Sequence, residues 1–271
     1  MKMKMKEEKD KKDYTIESVE KALNLLNVFD GEHSSLSFSQ ILTRTGYSKN
    51  MVVRILYTLT KNGYLMYDTL TSTYSIGTSL FRLGHIAQIS MNVLRLAAPY
   101  LRDLSNKHGL ICYMGRREGD HVLALEKFYP SNLPGWAALM TAEGSDMPLF
   151  STGIGKLFLS EMTDEELNQY LTRVRLTSFT DETITNPEVL LQTVKAIRKT
   201  HIAYNNAENE RFIHSICVPV YDINGKMTVG ISVCGFSELL NDIGRDSLEN
   251  EIKSIAEKIS LELGFSGKIF D

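Results

Sequence analysis

The 271-residue sequence predicts an α+β fold in two parts, and the patterns in each of its halves support that prediction. The first 76 residues carry three amphipathic helical patterns followed by two short strand patterns. The second half carries two long hairpins, with helical stretches between them and a helix near the end of the chain. Strands paired in hairpins and accompanied by separate helices are typical of an antiparallel sheet covered by helices.

The third helical pattern begins after Ser48 and has two different faces. Ser48 is suited to cap the helix through its hydroxyl, and Gly63 is suited to the left-handed position that ends it. The apolar positions recur at i, i+3, i+4 and i+7, which predicts one buried face: Val52, Ile55, Leu56 and Leu59. The opposite set has the same spacing and is predicted to face outward: Asn50, Val53, Arg54 and Tyr57.

Two helices are predicted before it and a β-ribbon after it. Ser37 and Gln40 form a capping box for the second helix, which Gly46 ends. Its inner face is predicted to be Phe38, Ile41 and Leu42. The first helix is predicted to turn inward Ile16, Val19, Ala22, Leu23, Leu26 and Phe29. On either side of residues 68–73, apolar residues alternate with polar neighbours and predict two strands: Tyr64, Met66, Tyr74 and Ile76.

This order of elements is that of a winged helix-turn-helix, in which the last helix enters the major groove of DNA. The predicted DNA contacts are Arg44, Ser48, Lys49, Asn50, Val53, Arg54 and Tyr57. Two alternatives remain: a helical cap whose polar face is only solvated, and a winged helix that binds protein. Charge gives limited support, since residues 1–76 hold 11 Lys and Arg against 9 Asp and Glu. The lysine-rich start is predicted to be disordered, as an arm on phosphates or as a solvated tail.

Composition predicts a cytoplasmic protein of two domains without a membrane span. Cys112, Cys217 and Cys234 lack metal-site spacing and suit a reducing compartment. No apolar run approaches the ~18 residues of a span, and no apolar segment follows the first lysines as in a signal peptide. We expect no metal and no cofactor. The predicted parts are a tail (1–13), the winged helix-turn-helix (14–77), a helical linker (78–108) and a C-terminal domain (109–271).

The linker carries apolar positions at helical spacing, and Pro99 within them predicts a kink or a turn. Such helices either join protomers or pack on their own second domain. In that domain, hairpins are predicted to turn at residues 118–120 and at Asn224-Gly225, a two-residue turn signal. Helices are predicted from Gly153, from a capping box at residues 163–166, from Asn186-Pro187, and from about residue 246 to 263.

Four motifs together resemble the IclR family of bacterial transcriptional regulators, from Ile16 to Phe265. They are RTGYSKNMVVRILYTLTKNGYL, YSIGTSLFRLG, MPLFSTGIGKLFLS and IHSICVPVYDINGKMTVGISVCG, in the family's order and spacing. The resemblance implies a GAF-like effector-binding domain, a homodimer or homotetramer, and a double-stranded DNA operator. It also implies a small effector, commonly an organic acid, that changes operator affinity.

The resemblance also implies which residues line the effector pocket. They are Trp136, Leu139, Met147, Gly153, Ile154, Asn205, Ser215, Ser232 and Cys234. Asn205 stands where relatives are acidic, and Phe212 where a glycine is common, so the ligand of a relative does not transfer directly. Independently, free N–H groups at a glycine-rich helix start bind anions. The alternative is that Gly153 and Gly155 only allow close packing, and that the two serines bond to backbone carbonyls.

An enzyme is the rival class. A cysteine hydrolase would use Cys217 or Cys234 with His201 or His214. Strand alternation, however, places His214 and Cys217 on opposite faces, so they cannot pair within that strand. Neither paired carboxylates nor a metal-ligand cluster occurs in the sequence. The sequence therefore predicts a regulator and not an enzyme.

Overall fold

The computed structural model describes residues 14–31, 33–132, 135, 137 and 140–270, with residues 88–90 described by their backbone alone. The predicted tail and two predicted pocket residues, Trp136 and Leu139, lie outside the described residues. The chain divides into two compact units, Met1–Ala87 and Gln88–Asp271. Within the described residues no helix is long and apolar enough to cross a membrane.

The first unit consists of three helices and a small sheet, and a further helix begins in it. The elements are α1 (Glu17–Leu26), β1 (Ser35–Ser37), α2 (Phe38–Thr45), α3 (Lys49–Lys61), β2 (Leu65–Asp68), β3 (Thr73–Ile76) and α4 (Thr78–Ser90). The sheet has the order β1-β3-β2 and is antiparallel. The short strand β1 had no sequence pattern of its own, because its three residues are defined only by pairing with β3.

The helix-turn-helix forms as its local signals predict. The capping box of Ser37 and Gln40 is present, and Gly46 and Gly63 are both left-handed. The predicted inner face of α3 is buried or partly buried in the core of this unit, while the opposite face is exposed. The predicted hydroxyl cap at Ser48 is wrong, because Ser48 occupies the N-cap position without a side-chain hydrogen bond. It is exposed, so water can satisfy the first amides of α3 instead.

The predicted inner face of α1 is confirmed only at and just after its C-terminal end, where Leu26 and Phe29 pack against the core of this unit. Ile16, Val19 and Leu23 are 66%, 52% and 56% exposed, whereas Leu25 is fully buried. The reason is that α1 contributes its last turn to the core, so the apolar stripe along its first turns is not covered by this unit. In β2, for which no buried face was predicted, Leu65 is buried and Met66 is exposed.

The second unit is a six-stranded antiparallel sheet with helices packed on it. Its strands have the order β6-β5-β4-β9-β8-β7, so the central pair β4 and β9 joins the two predicted hairpins. The elements are α5 (Asn92–His108), β4 (Ile111–Glu118), β5 (His121–Phe128), β6 (Asp146–Pro148), α6 (Gly153–Ser160), α7 (Asp164–Arg173), α8 (Pro187–Thr200), β7 (Ala203–Asn206), β8 (Ile213–Tyr221), β9 (Met227–Phe236), α9 (Ser237–Ile243) and α10 (Arg245–Glu262).

Most local signals in this unit are confirmed, and two details differ. Capping boxes and caps are present at Thr163 and Asn186, as predicted. One helix ends at Ser90 and the next begins at Asn92. Of the two alternatives predicted at Pro99, the turn is wrong, because α5 continues through Pro99 with apolar side chains on either side buried in the core; the kink stays a prediction. The second hairpin turns over residues 222–226, because the Asp222 carboxylate accepts from the backbone N–H groups of Asn224 and Lys226.

Candidate DNA-binding and effector sites

The exposed face of α3 gathers most of the predicted DNA contacts. Ser48, Lys49 and Asn50 lie at its start, and Val53, Arg54 and Tyr57 follow on the next turns, all of them exposed. The face is free of intramolecular ion pairs among the described residues. An α-helix with such a face fits the major groove, and its N-terminal residues reach base edges first.

Arg44 differs from the other predicted contacts because it is already bonded within the unit. Its Nη1 donates to the Val28 carbonyl oxygen at 3.2 Å and lies 3.6 Å from a carboxylate oxygen of Asp30. These contacts tie α2 to the segment after α1. The structure therefore places Arg44 on α2, bonded to the segment after α1, and not on α3.

In the second unit the structure brings four of the predicted pocket residues to one small cavity. Met147, Asn205, Ser215 and Cys234 line it, and strand register explains the last three. Asn205 pairs with Ser215 across β7 and β8, and Ser215 pairs with Cys234 across β8 and β9. The cavity has a volume of about 10 Å³, enough for about one water molecule.

Three residues of the cavity wall carry polar chemistry that the sequence analysis missed. They are Tyr113, Lys127 and Glu210. Tyr113 and Lys127 are partners across β4 and β5, whereas Glu210 comes from the loop between β7 and β8. A lysine near the end of the largely apolar strand β5 was the available signal, but no local pattern marks the loop residue.

Lys127 is a buried cation whose ammonium donates to a neutral carbonyl group, while its backbone N–H donates to the Glu143 carboxylate. Only 7% of the residue is exposed, and burial lowers the pKa of its ammonium below the usual value. Its Nζ donates to the carbonyl oxygen of Thr141. Among the described residues it makes no ion pair with a carboxylate.

Glu210 also contacts Thr141, the residue to which the Lys127 ammonium donates. Its Oε1 accepts from the Thr141 hydroxyl at 2.7 Å and from the Thr141 N–H at 3.2 Å. A cation and an anion of the cavity wall are thus both bonded to Thr141. Neither is bonded to the other in the part of the chain that the structure describes.

Gly153 and Ile154 lie at the start of α6, outside this cavity. A Cβ on Gly153 would lie 2.4 Å from the Sγ of Cys217, and a Cβ on Gly155 would lie 2.2 Å from the Leu149 carbonyl oxygen. The Gly155 N–H donates to the Thr152 hydroxyl at 3.1 Å, so the helix start is capped internally. The glycines therefore allow close packing of α6 on the sheet.

Ser232 also lies outside the cavity, next to residues that line it. Its hydroxyl oxygen accepts from the Cys217 thiol at 3.3 Å, and Ser232 is the partner of Tyr113 across β4 and β9. Ser215 approaches the same thiol at 3.4 Å. Ser215, Cys217 and Ser232 thus belong to one hydrogen-bonded group, with Tyr113 on the neighbouring strand.

The loop that carries Glu210 is anchored by a buried ion pair. The Lys156 ammonium bonds to the Glu208 carboxylate, and their side chains are 2% and 4% exposed. The hydroxyls of Thr180 and Thr183 donate to the backbone carbonyls of Ala207 and Glu208. The position of Glu210 beside the cavity therefore depends on packing that lies behind the loop.

The cysteines are buried without an activating partner. Burial raises the pKa of the Cys217 thiol, although bonds from Ser215 and Ser232 oppose that shift. Burial likewise holds the pKa of Cys112 and Cys234 above the usual range. His214 lies on the opposite face of β8 from Cys217, as strand alternation predicts. A nucleophilic thiolate is not favoured in this arrangement.

Comparison with known proteins identifies both units. The model described as "Bacterial transcriptional regulator IclR C-terminal" matches residues 86–261, and "IclR helix-turn-helix domain" matches residues 18–69. The HTH-type transcriptional regulator KdgR of Escherichia coli is 28% identical over 257 residues, covering 94% of this chain and 96% of its own.

Solved structures show the same fold. An IclR transcriptional regulator from Alicyclobacillus acidocaldarius has a TM-score of 0.81 at 22% identity, covering 92% of this chain and 99% of its own. An IclR homologue from Microbacterium hydrocarbonoxydans, complexed with 4-hydroxybenzoate, has a TM-score of 0.79 at 16% identity, covering 91% of this chain and 98% of its own.

Proposed function

The chain belongs to the IclR family of bacterial transcriptional regulators, and from that premise we propose that a small organic acid changes its affinity for its operator. The acid binds in the second unit, at the cavity beside Lys127. The regulator works in the cytoplasm as a homodimer or homotetramer. Each helix-turn-helix reads half of a roughly palindromic site, since two-fold protein symmetry is mirrored in the operator.

The face of α3 supplies the proposed DNA contacts. Arg54 and Lys49 carry the charges, with Asn50 and Ser48 beside them, and Tyr57 and Val53 extend the surface along the helix. Arginine can bond both acceptors of a guanine edge, and lysine is suited to phosphates. Arg44 is proposed as a backbone contact, because its bonds to the segment after α1 leave it less free to enter the groove.

One observation supports the effector site above all others: the buried Lys127 ammonium lacks a carboxylate partner in the described structure. A buried charge is costly unless it is paired. Glu210 and Glu143 act on the Lys127 ammonium only through space, and an anionic ligand would supply a directly bonded partner. The ligand of the Microbacterium homologue, 4-hydroxybenzoate, is itself a carboxylate. A carboxylate at Lys127 is the arrangement that these observations favour.

The remaining pocket residues then divide into two groups. Asn205, Ser215, Cys234 and Met147 would contact the acid directly. Ser232 and the glycine-rich start of α6, with Gly153 and Ile154, would support the wall from behind Cys217. Trp136 and Leu139 remain predicted as the cover over the apolar end of the ligand.

Binding changes operator affinity only if the acid prefers one of two arrangements of the regulator. The effector can be sought by thermal shift against a panel of organic acids, because a ligand that binds the folded state raises its melting temperature. Lys127→Met should lose the shift, whereas Lys226→Met, an exposed lysine in a turn, should keep it. If Lys127→Met folds and binds the acid as the parent does, the ligand lies elsewhere.

A further inference from the structure

Thr141 makes three hydrogen bonds to the two charged residues of the cavity wall. Its carbonyl oxygen accepts from Lys127, while its hydroxyl and its N–H donate to Glu210. One residue thus presents an acceptor to the cation and two donors to the anion. Thr141 meets the hydrogen-bonding requirements of both groups at once.

The space at the cavity indicates what a bound acid must displace. About 10 Å³ remains, which holds no more than about one water molecule. The Thr141 carbonyl takes one of the three N–H donors of the Lys127 ammonium, and the remaining space is too small for a carboxylate unless a neighbouring group moves. The residues after Thr141 are held by other bonds, since the Glu143 carboxylate accepts from the Lys127 N–H at 2.8 Å and the Gly144 N–H donates to the Ala124 carbonyl at 2.8 Å. We therefore take Thr141 as the group that a bound acid displaces.

We propose that Thr141 is an internal ligand, and that the effector is a carboxylic acid with a hydroxyl or amino group one or two carbons from the carboxyl carbon. In threonine the carbonyl carbon is separated from the amino nitrogen by one carbon and from the hydroxyl oxygen by two. A molecule with that spacing can replace every bond that Thr141 gives up. Its carboxylate accepts a hydrogen bond from the Lys127 ammonium, and its hydroxyl or amino group donates one to the Glu210 carboxylate.

The charge of Glu210 makes this second group a requirement for tight binding. If the ligand presented no donor to Glu210, the Glu210 carboxylate would keep an unsatisfied charge beside an anionic ligand, which is unfavourable. Hydrogen bonds to charged groups correspond to about ten- to a hundredfold in affinity. Glu210 is therefore a specificity-determining residue, and Lys127 is the anchor.

This inference rests on the proposed effector site. Matched pairs of acids test the donor requirement separately from the site itself. Isothermal titration of the full-length protein compares 3-hydroxybutanoate with butanoate, and lactate with propanoate. We expect the parent to bind each hydroxy acid about ten- to a hundredfold more tightly than its partner. In Glu210→Met that advantage should disappear.

Thr141→Val supplies the matched variant, because it deletes the hydroxyl bond to Glu210 and preserves the shape of the side chain. It should bind the hydroxy acids about three- to tenfold more tightly, since the internal ligand is weakened by one hydrogen bond. A residue that only shapes the pocket would give no change or a loss. Weaker binding by a folded Thr141→Val protein overturns the internal-ligand proposal.

The remaining outcomes are distinct. If the parent binds both members of each pair equally and Lys127→Met binds neither, the effector site stands and the donor requirement is wrong. If the parent binds none of the four acids, both proposals are overturned. Should Thr141→Val fail to fold, the comparison of the parent with Glu210→Met still decides the donor requirement.

Discussion

Lys156 on α6 and Glu208 in the loop after β7 form an ion pair in which both side chains are almost completely buried. The pair joins the helix that covers the sheet to the loop that carries Glu210. The Glu208 N–H also donates to the Asn205 side chain at 2.8 Å. Two residues of the cavity wall are therefore positioned by one buried salt bridge.

Breaking this pair from one side should destabilise the second unit strongly. Lys156→Met leaves a buried carboxylate without its partner, and we expect a loss of about 3–5 kcal/mol. The double variant Lys156→Met, Glu208→Leu should recover part of that loss, because neither charge remains. Urea unfolding followed by circular dichroism gives the comparison. Equal stability of Lys156→Met and the parent would mean that the pair is not formed in solution.

Arg54→Ala should weaken specific operator binding. If Arg54 bonds a guanine edge, the loss is about 1–3 kcal/mol, measured by gel shift on an operator located by footprinting. Lys61→Ala, at the far end of the same helix, is the matched control. Unchanged operator affinity in a folded Arg54→Ala protein would remove this residue from the DNA interface.

Gly155→Ala should destabilise the protein because its Cβ would lie 2.2 Å from the carbonyl oxygen of Leu149, a backbone atom. We expect a cost of about 1–3 kcal/mol in urea unfolding. Gly84→Ala is the control, since its Cβ position in α4 has no described heavy atom within 4 Å apart from its chain neighbours and the backbone of its own helix. That change should be neutral or stabilising by about 0.5–1 kcal/mol, as alanine favours helix.

The three thiols should be unreactive in the native protein. All are buried, and burial raises the pKa of each, so little thiolate is present at neutral pH. Labelling with a maleimide should require unfolding, with three sites modified in denaturant. Rapid labelling of Cys217 in the folded protein would reopen the possibility of cysteine chemistry.

Asp120 and Arg173 predict a dependence of stability on pH. A two-pronged hydrogen bond from Arg173 holds the pKa of Asp120 below its ordinary value of 3.8. The stabilisation is therefore complete above that value and is lost as the pH falls through the lower pKa of the folded state. Because both side chains are partly exposed, Asp120→Asn should cost only about 0.2–1 kcal/mol at pH 7. The cost should vanish in strong acid; a cost that persists there would contradict the electrostatic origin.

Local signals in the sequence determined where many elements begin and end. The capping boxes at Ser37 and Thr163 and the cap at Asn186 depend on residues within three positions of one another, so the chain can form them without distant partners. The faces of α3 and the order of helices and ribbon also follow from short-range spacing. These features predicted the winged helix-turn-helix and the paired hairpins.

Tertiary structure decided which apolar residues are covered and which polar residues meet. The outward position of Ile16 and the inward position of Leu65 depend on what packs against them, and helical or strand spacing does not encode that. The cavity is the clearest case, because Glu210 is 69 positions from Thr141 and in a loop. Its contact depends on strand register and on the buried pair behind the loop. Charge and spacing along the chain therefore could not reveal the site that Lys127, Thr141 and Glu210 form.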